Sequence, residues 1–393
     1  MSRASIQFVM AMVVFLVLFA FLTMALVIQE TYSSQPPEAF EFHLGNDLER
    51  IAGNATARTF SPDGDVFFAA AKTRVRVWLV AKKSYPWSDS FDAHGAEIVS
   101  VAAREVETGD GPAWVELAAL ARAAWKVRFY RVRPGPTEDI ALVGGRWGVD
   151  LDLAADLNQA QKETTLGKPD RLLYRPGTVE RTAELVVLFE NGWARRYRVP
   201  REGEPELLPW FSSDKARERG QSETEFLRLH TGKIDDASIS ADGSLLVTAS
   251  ARDRRVRFLR FEDDFLGPES GAPDEIYVLV AASPDGSYLA AAKRDGRINL
   301  YRVEGAKVEI RRTLEGSGRG IRGLAFQTGP DRLLAADDDD IRLWDLSRGA
   351  TTRRFDAGRH PLVAWRSYIY DRANKLVAAT EDGTFHVWTL PED

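Results

Sequence analysis

An all-β fold, a seven-bladed β-propeller of four-stranded antiparallel blades, is predicted by three observations. One alternating strand recurs seven times, glycine-bearing hairpin turns precede it, and its later copies are spaced by ~43 residues, within the 40–45 period of four-stranded blades. The copies read VRVWLV (75–80), VRFYRV (127–132), ARRYRV (194–199), VRFLRF (256–261), INLYRV (298–303), IRLWDL (341–346) and FHVWTL (385–390). Apolar and polar residues alternate with period two, the pattern of a strand buried on one face. The fourth place holds Trp78, Tyr130, Tyr197, Leu259, Tyr301, Trp344 and Trp388, so six of the seven are aromatic.

Taken in chain order, the first informative stretch is residues 8–28, apolar apart from Thr23. About 21 residues at ~1.5 Å rise would span a ~30 Å hydrocarbon core, which predicts an uncleaved transmembrane helix. A cleaved secretory signal is the rival, although the run exceeds the usual signal core and no clean A-x-A site follows. Arg3 precedes this stretch, whereas Glu30, Glu38 and Glu41 follow it, so the positive-inside rule places the N-terminus in the cytoplasm and the propeller outside it. The expected organisation is therefore a signal-anchor over 1–29, a linker over 30–39 and a propeller over 40–393. Ser33-Ser34-Gln35-Pro36-Pro37 supplies the extended spacer.

Turn chemistry then defines each blade. Ser61-Pro62-Asp63-Gly64, Ser240-Ala241-Asp242-Gly243 and Ser283-Pro284-Asp285-Gly286 are hairpin turns, since Gly accepts positive φ and Pro presets its own. A second turn leads into the recurring strand at Glu190-Asn191-Gly192, Arg294-Asp295-Gly296 and Glu381-Asp382-Gly383. The order within a unit is strand, turn, strand, turn, recurring strand, outer strand. The chain stops three residues after the seventh copy, leaving the last blade without an outer strand. Residues 40–44 have suitable alternation and are expected to close it, removing the exposed edge.

With these turns and strands, the region after residue 40 resembles the WD-repeat β-propeller family, as a divergent member. In that family a His, a Ser or Thr, an Asp and a Trp form a buried hydrogen-bonded network. The resemblance implies such a network for His360, Thr380, Asp382 and Trp388 in the last unit. The unit containing Leu259 keeps His230 and Asp253, shifts its hydroxyl to Ser250 and lacks the Trp; the first unit has Lys72 in the Asp position. A structural role for these residues is expected rather than a catalytic one, because buried polar groups need partners.

Wider early spacings imply two insertions, about residues 144–180 and 202–227. The first carries residues 151–164, whose Ala, Leu, Gln and Lys content favours a short helix. The second begins with Leu207, Leu208, Pro209, Trp210 and Phe211. These apolar residues, Pro209 aside, are the candidate partner-binding set, the alternative being that Trp210 and Phe211 pack on their own blade.

Other chemistry is not indicated. Gly318–Gly323 spells G-x-G-x-x-G but leads into a strand rather than a helix, and no dinucleotide site is expected. Asp337–Asp340 lacks the alternating ligand pattern of a calcium loop, and the five histidines form no zinc pair. No nucleophile elbow occurs. There is no cysteine, so neither a disulfide framework nor a thiolate site exists. A net charge of −6 gives no basic domain for nucleic acid. Arginine clusters at 195–198, 252–257 and 353–354 read as solvated faces.

The expected function is a non-enzymatic, membrane-anchored scaffold for protein–protein interaction, an accessory subunit of a membrane or envelope complex. It would need no catalytic residue, cofactor or metal, and no nucleic acid. The alternative is a secreted or periplasmic enzyme or ligand binder using the central channel; however, the strands expected to be innermost are mostly apolar or small.

Overall fold

The computed structural model describes residues 40–43, 55–80 and most of 91–390; residues 1–39, 44–54, 81–90, 211–224 and several shorter loop segments lie outside the described residues. Seven antiparallel sheets follow one another along the chain. Blade 7 takes its outer strand β1 (Phe40–His43) from the beginning of the described chain. Blade 1 is β2 (Ala57–Phe60), β3 (Val66–Ala71), β4 (Arg74–Leu79) and β5 (Phe91–Asp92). Blade 2 is β6 (Ile98–Val106), β7 (Trp114–Ala121) and β8 (Lys126–Pro134), with β9 (Ile140–Leu142) and β10 (Asp150–Asp152) both paired to β8. Blade 3 is β11 (Pro169–Arg175), β12 (Glu184–Phe189) and β13 (Trp193–Arg198), with β14 (Glu206–Leu208) and β15 (Leu227–Arg228) both paired to β13.

Blade 4 is β16 (Asp236–Ile239), β17 (Leu245–Ser250), β18 (Arg255–Arg260) and β19 (Phe265–Leu266); blade 5 is β20 (Tyr277–Ala282), β21 (Tyr288–Lys293), β22 (Ile298–Glu304) and β23 (Lys307–Leu314). Blade 6 is β24 (Gly323–Phe326), β25 (Arg332–Ala336), β26 (Asp340–Asp345) and β27 (Ala350–Asp356). Blade 7 completes the ring with β28 (Leu362–Tyr370), β29 (Ala373–Thr380), β30 (Thr384–Thr389) and β1. Strand β1 pairs antiparallel with β30 in the register Phe40↔Val387 to His43↔Thr384, so one sheet joins two distant parts of the chain.

All seven copies of the recurring hexapeptide fall on the third strand of a blade. Their alternation is explained by packing: a blade has two faces, and each face meets a neighbouring blade. The buried core accordingly divides into seven clusters, each built from two adjacent blades. Phe67, Ala69 and Trp78 meet Val377, Phe385 and Val387 of blade 7, whereas Phe68, Ala70, Val75 and Val77 meet blade 2. The fourth residue of the hexapeptide always joins the cluster shared with the preceding blade, from Trp78 against blade 7 to Trp388 against blade 6. Leu259 occupies the same place against blade 3. Each such side chain contributes roughly 1.5–3 kcal/mol by burial, which favours a large residue at that place over any particular ring chemistry.

The Ser-x-Asp-Gly turns close by one mechanism. Ser240 Oγ donates to Asp242 Oδ1 at 2.5 Å and accepts from Leu245 N at 2.9 Å, while Gly243 takes φ 70°. Ser283 and Asp285 repeat this at 2.6 Å, with Tyr288 N donating to Ser283 Oγ at 2.9 Å and Gly286 at φ 67°.

The first insertion differs from the sequence expectation. Asp150–Asp152 is a strand rather than the start of a helix, and the helical segment, of π type, is Gln161–Leu166. Residues 169–175, assigned to the inserted loop, form the inner strand of blade 3. Among the described residues no helix is long and apolar enough to cross a membrane; residues 8–28 lie outside them.

Candidate functional site

Inner strands β2, β6, β11, β16, β20, β24 and β28 surround the channel, and polar side chains on several of them bond the next blade directly. Thr56 Oγ1 donates to Ile98 O at 2.5 Å, and Ser100 Oγ accepts from Leu172 N at 3.0 Å. Arg171 pairs with Asp236, and Asp236 Oδ2 accepts from Val280 N at 2.9 Å. Ser238 Oγ then accepts from Ala282 N at 3.2 Å. These bonds run from blade 1 to blade 5 and satisfy backbone groups that face the axis, where the sheet has no further strand. Burial pushes the Asp236 carboxyl up, while Arg171 and the Val280 amide pull it down.

Where the inner strands end, the channel opens into a cavity of about 700 Å³. Its lining includes Ala103, Tyr174, Ile239, Ala241, Phe326 and Trp365, with Arg104, Glu105, Ser238 and Ser240 supplying polar groups beside them. Small residues leave the room, and three aromatic rings supply adhesive area. Where the inner strands begin, the lining changes in kind. A cavity of about 490 Å³ there meets Arg58, Arg122, Arg171 and Lys233 against the single carboxylate of Asp170. A neighbouring one of about 260 Å³ shares Arg58 and adds Arg322 and Trp365.

Buried charge elsewhere is spent on holding blades together. Glu116, wholly buried on β7, accepts from Arg104 Nε at 2.7 Å, from Arg131 Nε at 3.2 Å and from the Tyr174 hydroxyl at 3.1 Å. Burial raises the Tyr174 phenol well above its ordinary range, and the neighbouring Glu116 carboxylate adds to this. Arg175 pairs with Glu184 at 2.9 Å, donates to Gly243 O at 2.7 Å and lies 3.9 Å over the Phe261 ring. In blade 5, Glu275 contacts Lys293 and the Tyr277 hydroxyl, and the Tyr277 and Tyr301 hydroxyls meet at 3.0 Å. Each of these carboxylates already accepts from a cation, so none is free to act as a general base.

His230 and Asp253 do form a network, but its hydroxyl is Thr248. His230 Nε2 lies 3.0 Å from Thr248 Oγ1, whereas Ser250 Oγ donates to Lys233 O at 2.8 Å. Thr248 and Ser250 share a face of β17, and it is Thr248, not the expected Ser250, that meets the histidine ring. In blade 7, His360 and Asp382 lie outside the described residues. Thr380 Oγ1 donates to Thr384 O at 3.1 Å, and buried Trp388 stacks on His386 at 5.5 Å.

The candidate partner-binding residues are corrected more strongly. Trp210 is only 1% exposed; its indole N–H donates to Ala194 O at 3.0 Å and its ring stacks on Phe261 at 6.3 Å. It is a plug between blades 3 and 4 and offers no surface. Leu207 packs half-buried beside the cluster shared by blades 2 and 3, Leu208 is half-buried on β14, and Phe211 lies outside the described residues. Arg195 departs from the expected solvated face as well: it is 1% exposed, reaches Asp156 at 2.5 Å and Glu225 at 3.4 Å, and lies over the Phe226 ring at 4.7 Å. Alternation along β13 turns Arg195 inward, where it pins the first insertion to blade 3.

Residues 221–258 and 308–345 match the family model described as WD domain, G-beta repeat. The first spans the His230–Asp253 network and the second spans β23 to β26. Over 137 residues the chain is 32% identical to the nuclear distribution protein nudF of Aspergillus niger, covering 30% of each chain. It is 24% identical over 167 residues to the small ribosomal subunit protein RACK1y of Oryza sativa subsp. japonica, covering 41% of this chain and 49% of the other. A p21-activated protein kinase-interacting protein 1-like of Danio rerio is also 24% identical, over 42% of this chain and 43% of its own. The chain thus spans at most about half the length of these curated relatives. The crystal structure of the Myceliophteria_thermophila Cps50 (Swd1) beta-propeller domain superposes with a TM-score of 0.57 at 12% identity, covering 90% of this chain and all of that one, which shows the fold.

None of these names is that of an enzyme. They correct the expected localisation: the relatives are named as nuclear distribution, pre-mRNA-processing and ribosomal proteins, and nothing in them supports an extracytoplasmic propeller or membrane and envelope partners.

Proposed function

We propose that this chain is a non-enzymatic scaffold that docks another protein on the channel opening where the inner strands end. One observation carries the reading: the opening is a preformed cavity of about 700 Å³, walled by Ala103, Ile239, Ala241, Tyr174, Phe326 and Trp365, in a ring whose buried carboxylates are engaged by cations. Small side chains around aromatic ones form a recess that a partner's apolar anchor fills without reorganising the ring, which is how interface hot spots gain affinity.

The test is a variant carrying Ala103→Arg and Ala241→Arg, set beside the parent chain in affinity purification from the source cells. Ala241 is exposed and Ala103 half-buried, so melting is expected to stay within a few degrees. The scaffold reading expects recurrent co-purifying proteins to be lost from the variant. Their full retention at unchanged melting would place the docking surface elsewhere.

A further inference from the structure

The opening proposed for docking also has a definite electrostatic character. Among the described residues Arg104 is the only cation in the cavity lining, and the buried Glu116 carboxylate holds its Nε at 2.7 Å. The turns around the mouth carry aspartates instead. Pro62 and Pro284 line the cavity, and each is followed directly by a turn aspartate, Asp63 in blade 1 and Asp285 in blade 5. Asp285 is exposed; it accepts from the Ser283 hydroxyl at 2.6 Å, the Ser287 hydroxyl at 2.7 Å and the Ser287 amide at 3.1 Å. Burial opposes its charge, but these neutral donors outweigh burial and hold the carboxyl below its ordinary 3.8. Asp63 accepts from the Ser61 hydroxyl and from Asp65 N at 3.1 Å. Beside it Asp65 is half-buried, and burial and then Asp63 push its carboxyl up to about 6, with no cation offsetting them. Hydroxyls and amides order these carboxylates without neutralising them. Negative charge therefore stands on either side of the aromatic pair Phe326 and Trp365, which blades 6 and 7 contribute between blades 5 and 1.

We propose that the segment docked at this opening is basic: an apolar side chain fills the cavity against Phe326 and Trp365, and lysine or arginine residues on either side of it meet Asp285 and the Asp63–Asp65 pair. The inference rests on the scaffold reading and names the chemistry of its partner. Complementary charge of this kind selects among partners and speeds encounter, while the desolvated anchor supplies most of the affinity. An acidic segment is disfavoured on the same ground, since the one lining cation is already paired and approach would set like charges together. Asp65 supports the assignment. A carboxylate that burial disfavours is costly to the ring alone, and a partner's cation is the group that relieves it.

The experiment is a fluorescence-polarisation titration of the full chain with a labelled peptide that carries a central leucine and lysines on both sides of it, beside a counterpart with glutamine in place of lysine. The lysine peptide is expected to bind roughly tenfold more tightly at low salt, and the gap to close as salt is raised. Asp63→Asn and Asp285→Asn keep the oxygen that closes each turn; each should weaken the lysine peptide roughly threefold and leave the glutamine peptide unchanged. If the parent chain binds the lysine peptide no more tightly than the glutamine peptide, at any affinity or none, the proposal is overturned without any variant having to fold. A lysine preference that survives intact in the variant carrying both substitutions overturns it as well. The two readings fail separately. Loss of co-purifying proteins from the variant carrying Ala103→Arg and Ala241→Arg, without a lysine preference in the parent, leaves docking at this opening and removes only its basic partner; their full retention removes the docking surface itself.

Discussion

His230 and Asp253 meet at 3.0 Å, Nδ1 to Oδ2, inside blade 4. A carboxylate only accepts, so Nδ1 carries the proton and Nε2 accepts from Thr248 Oγ1 at 3.0 Å. Burial holds the imidazole below its ordinary 6.5 despite Asp253, and it is neutral in the fold. Above pH 6.5 folded and unfolded histidine are both neutral; as pH falls past that value the unfolded chain takes the proton first, and stability drops toward the folded pKa. His230→Gln is expected to cost about 1–2 kcal/mol at pH 7.5. It should also lose less melting temperature than the parent between pH 7.5 and pH 5.5, measured by thermal unfolding. An equal or steeper loss in the variant would contradict the neutral, buried imidazole.

Asp65 gives the opposite sign. Burial first, and then the charge of Asp63, raises its pKa from 3.8 to about 6. The unfolded carboxyl ionises near 3.8 while the folded one resists, so this group's contribution to stability is lost as pH rises from 3.8 to about 6. Asp65→Asn should therefore melt higher than the parent at pH 7.5, with the advantage vanishing near pH 4. A variant that is less stable at both values would show that the carboxylate is needed for the turn.

The buried pair Arg175–Glu184, at 2.9 Å, joins β11 to β12 and reaches blade 4 through Gly243 O. Glu184→Ala leaves a guanidinium buried without its main partner and should cost about 3–5 kcal/mol in denaturant unfolding. Replacing both residues by leucine should cost much less. If the double variant is as unstable as the single, the cost comes from packing rather than from stranded charge.

Trp210→Ala removes a side chain stacked on Phe261 and bonded to Ala194 O, and should cost about 3–5 kcal/mol. Loss of melting cooperativity or of soluble expression is the expected readout. A variant that melts like the parent would restore the surface role that the sequence had suggested.

These residues also show what was legible without coordinates. Third strands and turns were readable because both express local rules: Val75 to Val80 alternate for two flanking blades, and Gly243 and Gly286 sit at positive φ in Ser-x-Asp-Gly turns. Inner strand β11 was hidden because Pro169 and Asp170 open it like a loop and long connections flank it. The sequence leaves Trp210 open between an exposed anchor and packing on its own blade, because nothing local reveals that Phe261, on the next blade, covers it. Thr248 and Ser250 share a face of β17, and only the placement of the His230 ring selects between them. The charged end of the channel was missed for the same reason. Arg58, Arg171 and Arg322 stand far apart in the chain, and only ring closure brings them to one opening.

The claim that the ring works by docking a protein at the opening where its inner strands end is tested most directly by site-specific photocrosslinking in the source cells. A benzophenone amino acid is placed at Ala241, on that opening, or at Ile310, which is 58% exposed on outer strand β23. Discrete crosslinked partner bands from position 241 and none from position 310 are the predicted result. Bands from position 310 alone would contradict it, because the partner would then ride on the outer edge of blade 5 and leave the channel empty.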